Sequence, residues 1–148
     1  MFRTLLATRN DWYLTLLRLA AGIMILPHGL QKTFGLFGGP GFTKMMAGFT
    51  QGAHIPPVFA FLAIMAEFLG GLGLILGFLT RIAAFGVLCN MVVAMTRSWQ
   101  FGLFMNWSGR QKGEGFEFHL LAIAILLGVM LRGAGPASID RAIAKEVS

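Results

Sequence analysis

The chain has 148 residues, of which 56% are hydrophobic and only 12% charged, and it carries a formal net charge of +6. A soluble domain holds about 25% charged residues, so this composition, with its strongly positive mean hydropathy, excludes an ordinary soluble domain and points to a membrane. The basic excess is scattered along the ends of apolar stretches, which argues against nucleic acid as a partner and for the lipid bilayer, with anionic head groups as counter-ions.

Arg3 and Arg9 precede the first apolar stretch, about residues 12–34. It is too long for a signal h-region and is followed by no A-x-A-like site, so it is expected to stay as a membrane helix. At 100° per residue, Arg18, Gly22, Ile25, Gly29 and Lys32 fall on one stripe, with His28 to its side. In the connection that follows, Phe42, Met45, Met46 and Phe49 have helical spacing between Pro40 and Gly52, which predicts a short interfacial helix.

The second stretch, about 57–78, carries a seam of small residues, Ala63, Ala66, Gly70, Gly73 and Gly77, of the kind that lets helix backbones approach closely. Glu67 lies about 60° from that seam and should look into the bundle at its edge. A tight turn at Thr80-Arg81 leads to the third stretch, about 82–99. Its Cys89 is the one cysteine of the chain, so an internal disulfide and a CxxC pair are both excluded. A second long connection holds Phe101, Leu103, Phe104, Met105 and Trp107, too apolar for a free loop and suited to the headgroup boundary. The fourth stretch, about 116–131, places Glu117, Leu121, Ala124 and Gly128 on one face, with His119 about 200° from Glu117.

Continuous rather than alternating apolar runs argue against a β-barrel. The expected architecture is all-α: a single domain over residues 1–148, an integral membrane four-helix transmembrane bundle with short interfacial helices in its two long loops. Four spans put both termini on one side with Arg3, Arg9, Arg81, Arg132, Arg141 and Lys145, against Lys32, Lys44, Arg97, Arg110 and Lys112 on the other. This small bias favours cytoplasmic termini.

Counted from the non-terminal side, Glu67 is roughly 15 Å deep and Arg18 roughly 24 Å. A flexing arginine nearly closes that gap, which predicts an Arg18–Glu67 ion pair. Such a pair either fixes helix register or serves chemistry, with Glu67 as a buried proton donor or acceptor and Arg18 as its partner. His28, Lys32 and Glu117 lie at similar shallow depth and are expected to form the mouth of a pocket with Glu114 above it. His119 and Trp107 complete the candidate ligand-binding set. Without a CxxCH motif or HxxxH spacing, no metal site is predicted, and haem ranks below an apolar redox molecule.

The Arg18-x3-Gly22 pattern, the His28-Gly29-x2-Lys32 segment and the Glu67-x2-Gly70-Gly71-x5-Gly77-x2-Thr80-Arg81 run resemble the DoxX family. Met105-Asn106-Trp107 followed by the run from Gly113 to His119 is similar to its bacterial members. The resemblance implies a small bacterial inner-membrane protein of four helices, in a family named after a subunit of a thiosulfate:quinone oxidoreductase, with some members tied to redox stress or thiol homeostasis. It also implies that Arg18, His28, Lys32, Glu67, Glu114 and Glu117 belong to a polar core, without giving any of them a catalytic role. Lacking a thiol pair, the chain would need a bound quinone, a haem or a redox partner protein for such a role.

Three readings stand. The first is a redox-associated subunit, an oxidoreductase component acting with a partner, that binds a quinone or similar apolar molecule. The second is a proton-coupled small-molecule carrier, for which four helices make a thin pore and a homo-oligomer is expected. The third is a non-catalytic assembly or scaffold subunit.

Overall fold

The computed structural model describes residues 5–146, so Arg3 lies outside the described residues. Those residues are helical wherever they are regular, with no strand among them. Helix α1 spans Trp12–Phe34 and ends on Gly35, whose φ of 71° supplies the left-handed C-cap. A 3₁₀ turn at Leu36–Gly38 leads to the short α2, Gly41–Ala47, which passes into a π turn over Gly48–Gly52. The interfacial-helix spacing of Phe42, Met45 and Met46 falls on α2.

Pro57 opens α3, Pro57–Leu76, where its missing N–H costs nothing. Gly77, at φ 66°, closes it two residues before the predicted end. Helix α4, Thr80–Ser98, starts at once and is extended by a 3₁₀ turn at Trp99–Phe101. Helix α5 spans Glu117–Arg132. A further helix, α6, Ile139–Glu146, was not foreseen, because it is short and polar and its main anchor, Asp140, is buried by tertiary contact.

Packing runs from α1 to α3, α3 to α4, α4 to α5, and from α5 back to α1. Helix α1, helix α3 and the continuous stretch Thr80–Phe101 are each long and apolar enough to cross a membrane. Their outward residues are apolar: Leu16, Ile23, Phe59, Leu69 and Phe85 are all exposed. Exposed leucine and phenylalanine in place of charge suit hydrocarbon, not water. At 16 residues, α5 is the shortest of the four packed helices, about 24 Å at 1.5 Å per residue.

Glycine sets how closely these helices meet. A Cβ on Gly29 of α1 would lie 2.6 Å from the Phe68 Cα of α3, and one on Gly22 would lie 2.9 Å from the Ile75 backbone N. From the other side, a Cβ on Gly71 would lie 2.9 Å from the Leu26 Cα. The α1–α3 crossing therefore brings backbone against backbone, which side chains would forbid. Gly70 and Gly73, from the predicted seam, face Val87 and Ala83 of α4 instead.

The second long connection contains no α-helix beyond the 3₁₀ turn, contrary to the expectation of an interfacial helix there. It is held by its own contacts. The Trp99 ring stacks on Phe116 with centroids 4.6 Å apart, and Phe116 N–H and Glu117 N–H donate to the Gly102 and Leu103 carbonyls. Those backbone bonds fold the segment back on itself and remove the need for helical pairing.

Candidate functional site

The α1–α3 crossing decides which polar groups meet. Because Gly29 lies against Phe68 and Gly22 against Ile75, Lys32 comes level with Glu67 and Arg18 comes level with the end of α3. Lys32 Nζ sits 2.5 Å from Glu67 Oε1, the single salt bridge among the described residues. From α4, Asn90 Nδ2 donates to the same Oε1 at 2.7 Å. One carboxylate oxygen thus ties three helices together.

Glu67 is 3% exposed. Its second oxygen, Oε2, is buried and has no hydrogen-bond partner. A buried acceptor left unmade costs on the order of 1–3 kcal/mol, and more for a charged group. Buried ion pairs are favourable only when their remaining lone pairs are satisfied. The centre is therefore asymmetric: Oε1 is doubly engaged, while Oε2 accepts from none of the described residues.

The predicted Arg18–Glu67 pair does not form. Arg18, 1% exposed, turns its guanidinium toward the terminal end. There Nη1 donates to the Leu74 carbonyl and, at 2.6 Å, to that of Ile75, Nη2 donates to Ala137 at 2.6 Å, and Nε donates to Ala134 at 3.0 Å. Leu74 and Ile75 are in the last turn of α3, whose carbonyls lack intrahelical donors. Beside this clasp, Asp140 of α6 accepts from Leu79 N–H at 2.7 Å and Thr80 N–H at 2.9 Å. It caps α4 and holds Leu79 at its unusual φ of 47°. Arg18 is thus a structural clamp that fastens the C-terminal segment to the α3–α4 turn.

The shallow cluster of His28, Lys32 and Glu117 is likewise not assembled. Lys32 is turned to Glu67, and His28 is exposed with no hydrogen bond or ion pair among the described residues. Glu117, the first residue of α5, turns to the second connection, where its Oε1 accepts from Met105 N–H at 2.9 Å and from Trp107 Nε1–H at 3.2 Å. Glu114 Oε2 accepts from Asn106 N–H at 2.8 Å. Both carboxylates order this connection, and the Trp107 ring stands 87% exposed. His119 lies on the stripe of Ala122, Leu126 and Val129, the buried face of α5, and its Nδ1 is buried without a partner. The other face, with Leu121 and Ala124, points outward.

Asn90 was missed in the sequence. Its signal was present, since Asn90 is the one strongly polar side chain between Arg81 and Thr96. An amide at mid-span needs a hydrogen-bond partner, but its partner is 23 residues away and only helix packing identifies it. No three His, Cys, Asp or Glu side chains converge as a metal set among the described residues.

A family model described as DoxX matches residues 13–107, more than half of the chain. The chain belongs to the DoxX family. The DoxX match takes in α1 to α4, and so the whole of Lys32, Glu67 and Asn90 together with Arg18, whereas Glu114, Glu117 and His119 lie beyond it. No curated protein and no solved structure matches the chain.

Proposed function

We propose that this DoxX-family membrane protein binds the polar end of a quinone or similar apolar molecule at Glu67, as a redox-associated subunit of the bacterial inner membrane with cytoplasmic termini and α5 as a fourth span. The observation that carries this reading is the buried, unpartnered Glu67 Oε2 beside an oxygen that Lys32 and Asn90 already hold. The hydroxyl of the reduced form, the quinol, is the donor that Oε2 lacks, and the membrane supplies such molecules laterally. The donor set fits: Lys32 and Asn90 fix the carboxylate rotamer, so Oε2 presents a lone pair in a constant direction.

Interconversion of a quinone and its quinol moves electrons together with protons. In this reading Glu67 takes one of the quinol's two protons at Oε2, the other leaves to water, and the two electrons pass to a redox partner protein, since the single Cys89 cannot cycle as a dithiol. Arg18 is no longer part of the proposed chemistry. Lys32, partly exposed while Glu67 is buried, lies between the carboxylate and the outside of the bundle.

The test is to purify the wild type and Glu67→Gln in native-lipid discs, identify co-purifying small molecules by mass spectrometry, and titrate a short-chain quinol under reducing conditions. Wild type is expected to retain or bind one quinol, and Glu67→Gln to lose it while unfolding at nearly the same temperature. A wild-type protein that binds no added quinol overturns the reading. Glu67-dependent flux into liposomes without redox chemistry would move the carrier reading ahead of it.

A further inference from the structure

The terminal end of the molecule carries a second, separate constellation. An open cleft of about 300 Å³ is lined by Ala7, Thr8, Arg9, Arg81, Leu131 and Arg132. Three of its six lining residues are arginines and none is acidic. They come from three places in the chain: the segment before α1, the start of α4 and the end of α5.

The cleft is built by backbone contacts. Arg9 N–H donates to the Arg132 carbonyl at 3.2 Å, which sets the two residues side by side. Thr8 Oγ1 accepts from Gly135 N–H at 2.6 Å. Gly133, at φ 89°, lets residues 7 and 8 cross so closely that a Cβ there would lie 2.6 Å from the Ala7 oxygen. Arg81 is pinned beneath them, donating from Nε and Nη2 to the Ala7 carbonyl at 3.3 and 3.1 Å and from Nη1 to the Met130 carbonyl at 2.9 Å.

Among the described residues nothing balances this charge. The guanidinium groups of Arg9 and Arg132 make no hydrogen bond or ion pair among the described residues, whose single salt bridge is Lys32–Glu67. Asp11, the nearest acid in sequence, takes the Tyr13 hydroxyl, and Asp140 is spent on capping α4. Holding like charges together without a counter-ion is unfavourable, and guanidinium groups pair best with planar or tetrahedral oxyanions. All three arginines flank the ends of apolar helices, where head groups would lie once those helices span a bilayer, and Leu131 adds an apolar wall.

We propose that Arg9, Arg81 and Arg132 form a binding site for a phosphate group at the membrane surface. Two sources carry that chemistry, the phosphodiester of an anionic phospholipid and free phosphate.

The experiment uses the full chain in detergent. Phosphatidylglycerol, phosphatidylcholine and inorganic phosphate are titrated separately, with native mass spectrometry counting bound lipid and thermal unfolding following occupancy. Two variants each remove two charges: Arg9→Gln with Arg132→Gln in the cleft, and Arg110→Gln with Lys112→Gln at the opposite end. Arg81 is left intact because its backbone contacts support the fold. The wild type and the Arg110/Lys112 variant are expected to retain phosphatidylglycerol over phosphatidylcholine, and the Arg9/Arg132 variant to bind it roughly thirtyfold more weakly. Saturation by inorganic phosphate alone, lost in the same variant, supports the site and assigns it to free phosphate. Equal binding by the Arg9/Arg132 variant, or an equal loss in the Arg110/Lys112 variant, overturns the proposal.

Discussion

Two buried ionisable groups, Arg18 and Glu67, sit on neighbouring helices and differ in how completely they are paired. Arg18 spends its donors on four backbone carbonyls from α3 and the segment before α6. Asp140 next to it accepts from two backbone N–H groups. Glu67 receives two donors on one oxygen and none on the other. A saturated polar centre holds a fold together, whereas one with an open acceptor in a low-dielectric interior can take a further donor.

The comparison breaks most visibly at Arg18. Arg18→Met keeps the volume but strands the four carbonyls, and is expected to cost about 3 kcal/mol or more in detergent unfolding. Loss of less than about 1 kcal/mol would show that the clasp contributes little. Gly29→Ala comes next. Its Cβ meets the Phe68 backbone, so α1 and α3 must separate, at about 1–3 kcal/mol for overpacking. That separation should also loosen Lys32 from Glu67, so quinone binding should fall with stability.

Asp140→Ala removes the cap of α4 and should cost about 1–2 kcal/mol. Asp140→Asn, which keeps one acceptor, should recover part of it in the same melts. The smallest effect on stability is expected from Glu67→Gln, below about 1 kcal/mol. The amide oxygen still accepts from Lys32 and Asn90, and Lys32 is exposed enough to reach water. This variant sharpens the contrast, because binding at the site should vanish while the fold persists. A Glu67→Gln melt as low as that of Arg18→Met would make the two centres equivalent and place Glu67 with the clasp.

The register between α1 and α3 explains why these partners were exchanged in the sequence reading. Depths counted from helix ends treat the ends as level and leave Arg18 and Glu67 within reach of one another. The glycine contacts instead set Gly29 beside Phe68 and Gly22 beside Ile75, so the non-terminal end of α3 overshoots α1. Small residues make close packing possible at several offsets, and periodicity alone does not choose among them. For the same reason Asn90 was legible as an isolated amide but not as a partner of Glu67. The connection over residues 102–116 is legible as apolar, yet Glu114 within it and Glu117 just after it read as part of a pocket mouth. Backbone N–H groups close in the folded loop claimed them instead.

The sequence by itself determined the membrane class, the positions of the apolar helices, the buried stripe of α1 from Arg18 through Gly22 and Ile25 to Gly29, and the burial of Glu67. These follow from composition and helical periodicity, which are local properties. Only the tertiary structure decided that Arg18 clamps the α3–α4 turn, that Lys32 and Asn90 converge on one oxygen of Glu67, and that Arg9, Arg81 and Arg132 share a cleft. Each of those facts joins residues far apart in the chain, and the offset at which helices pack is set by backbone contact, not by any repeat along one helix.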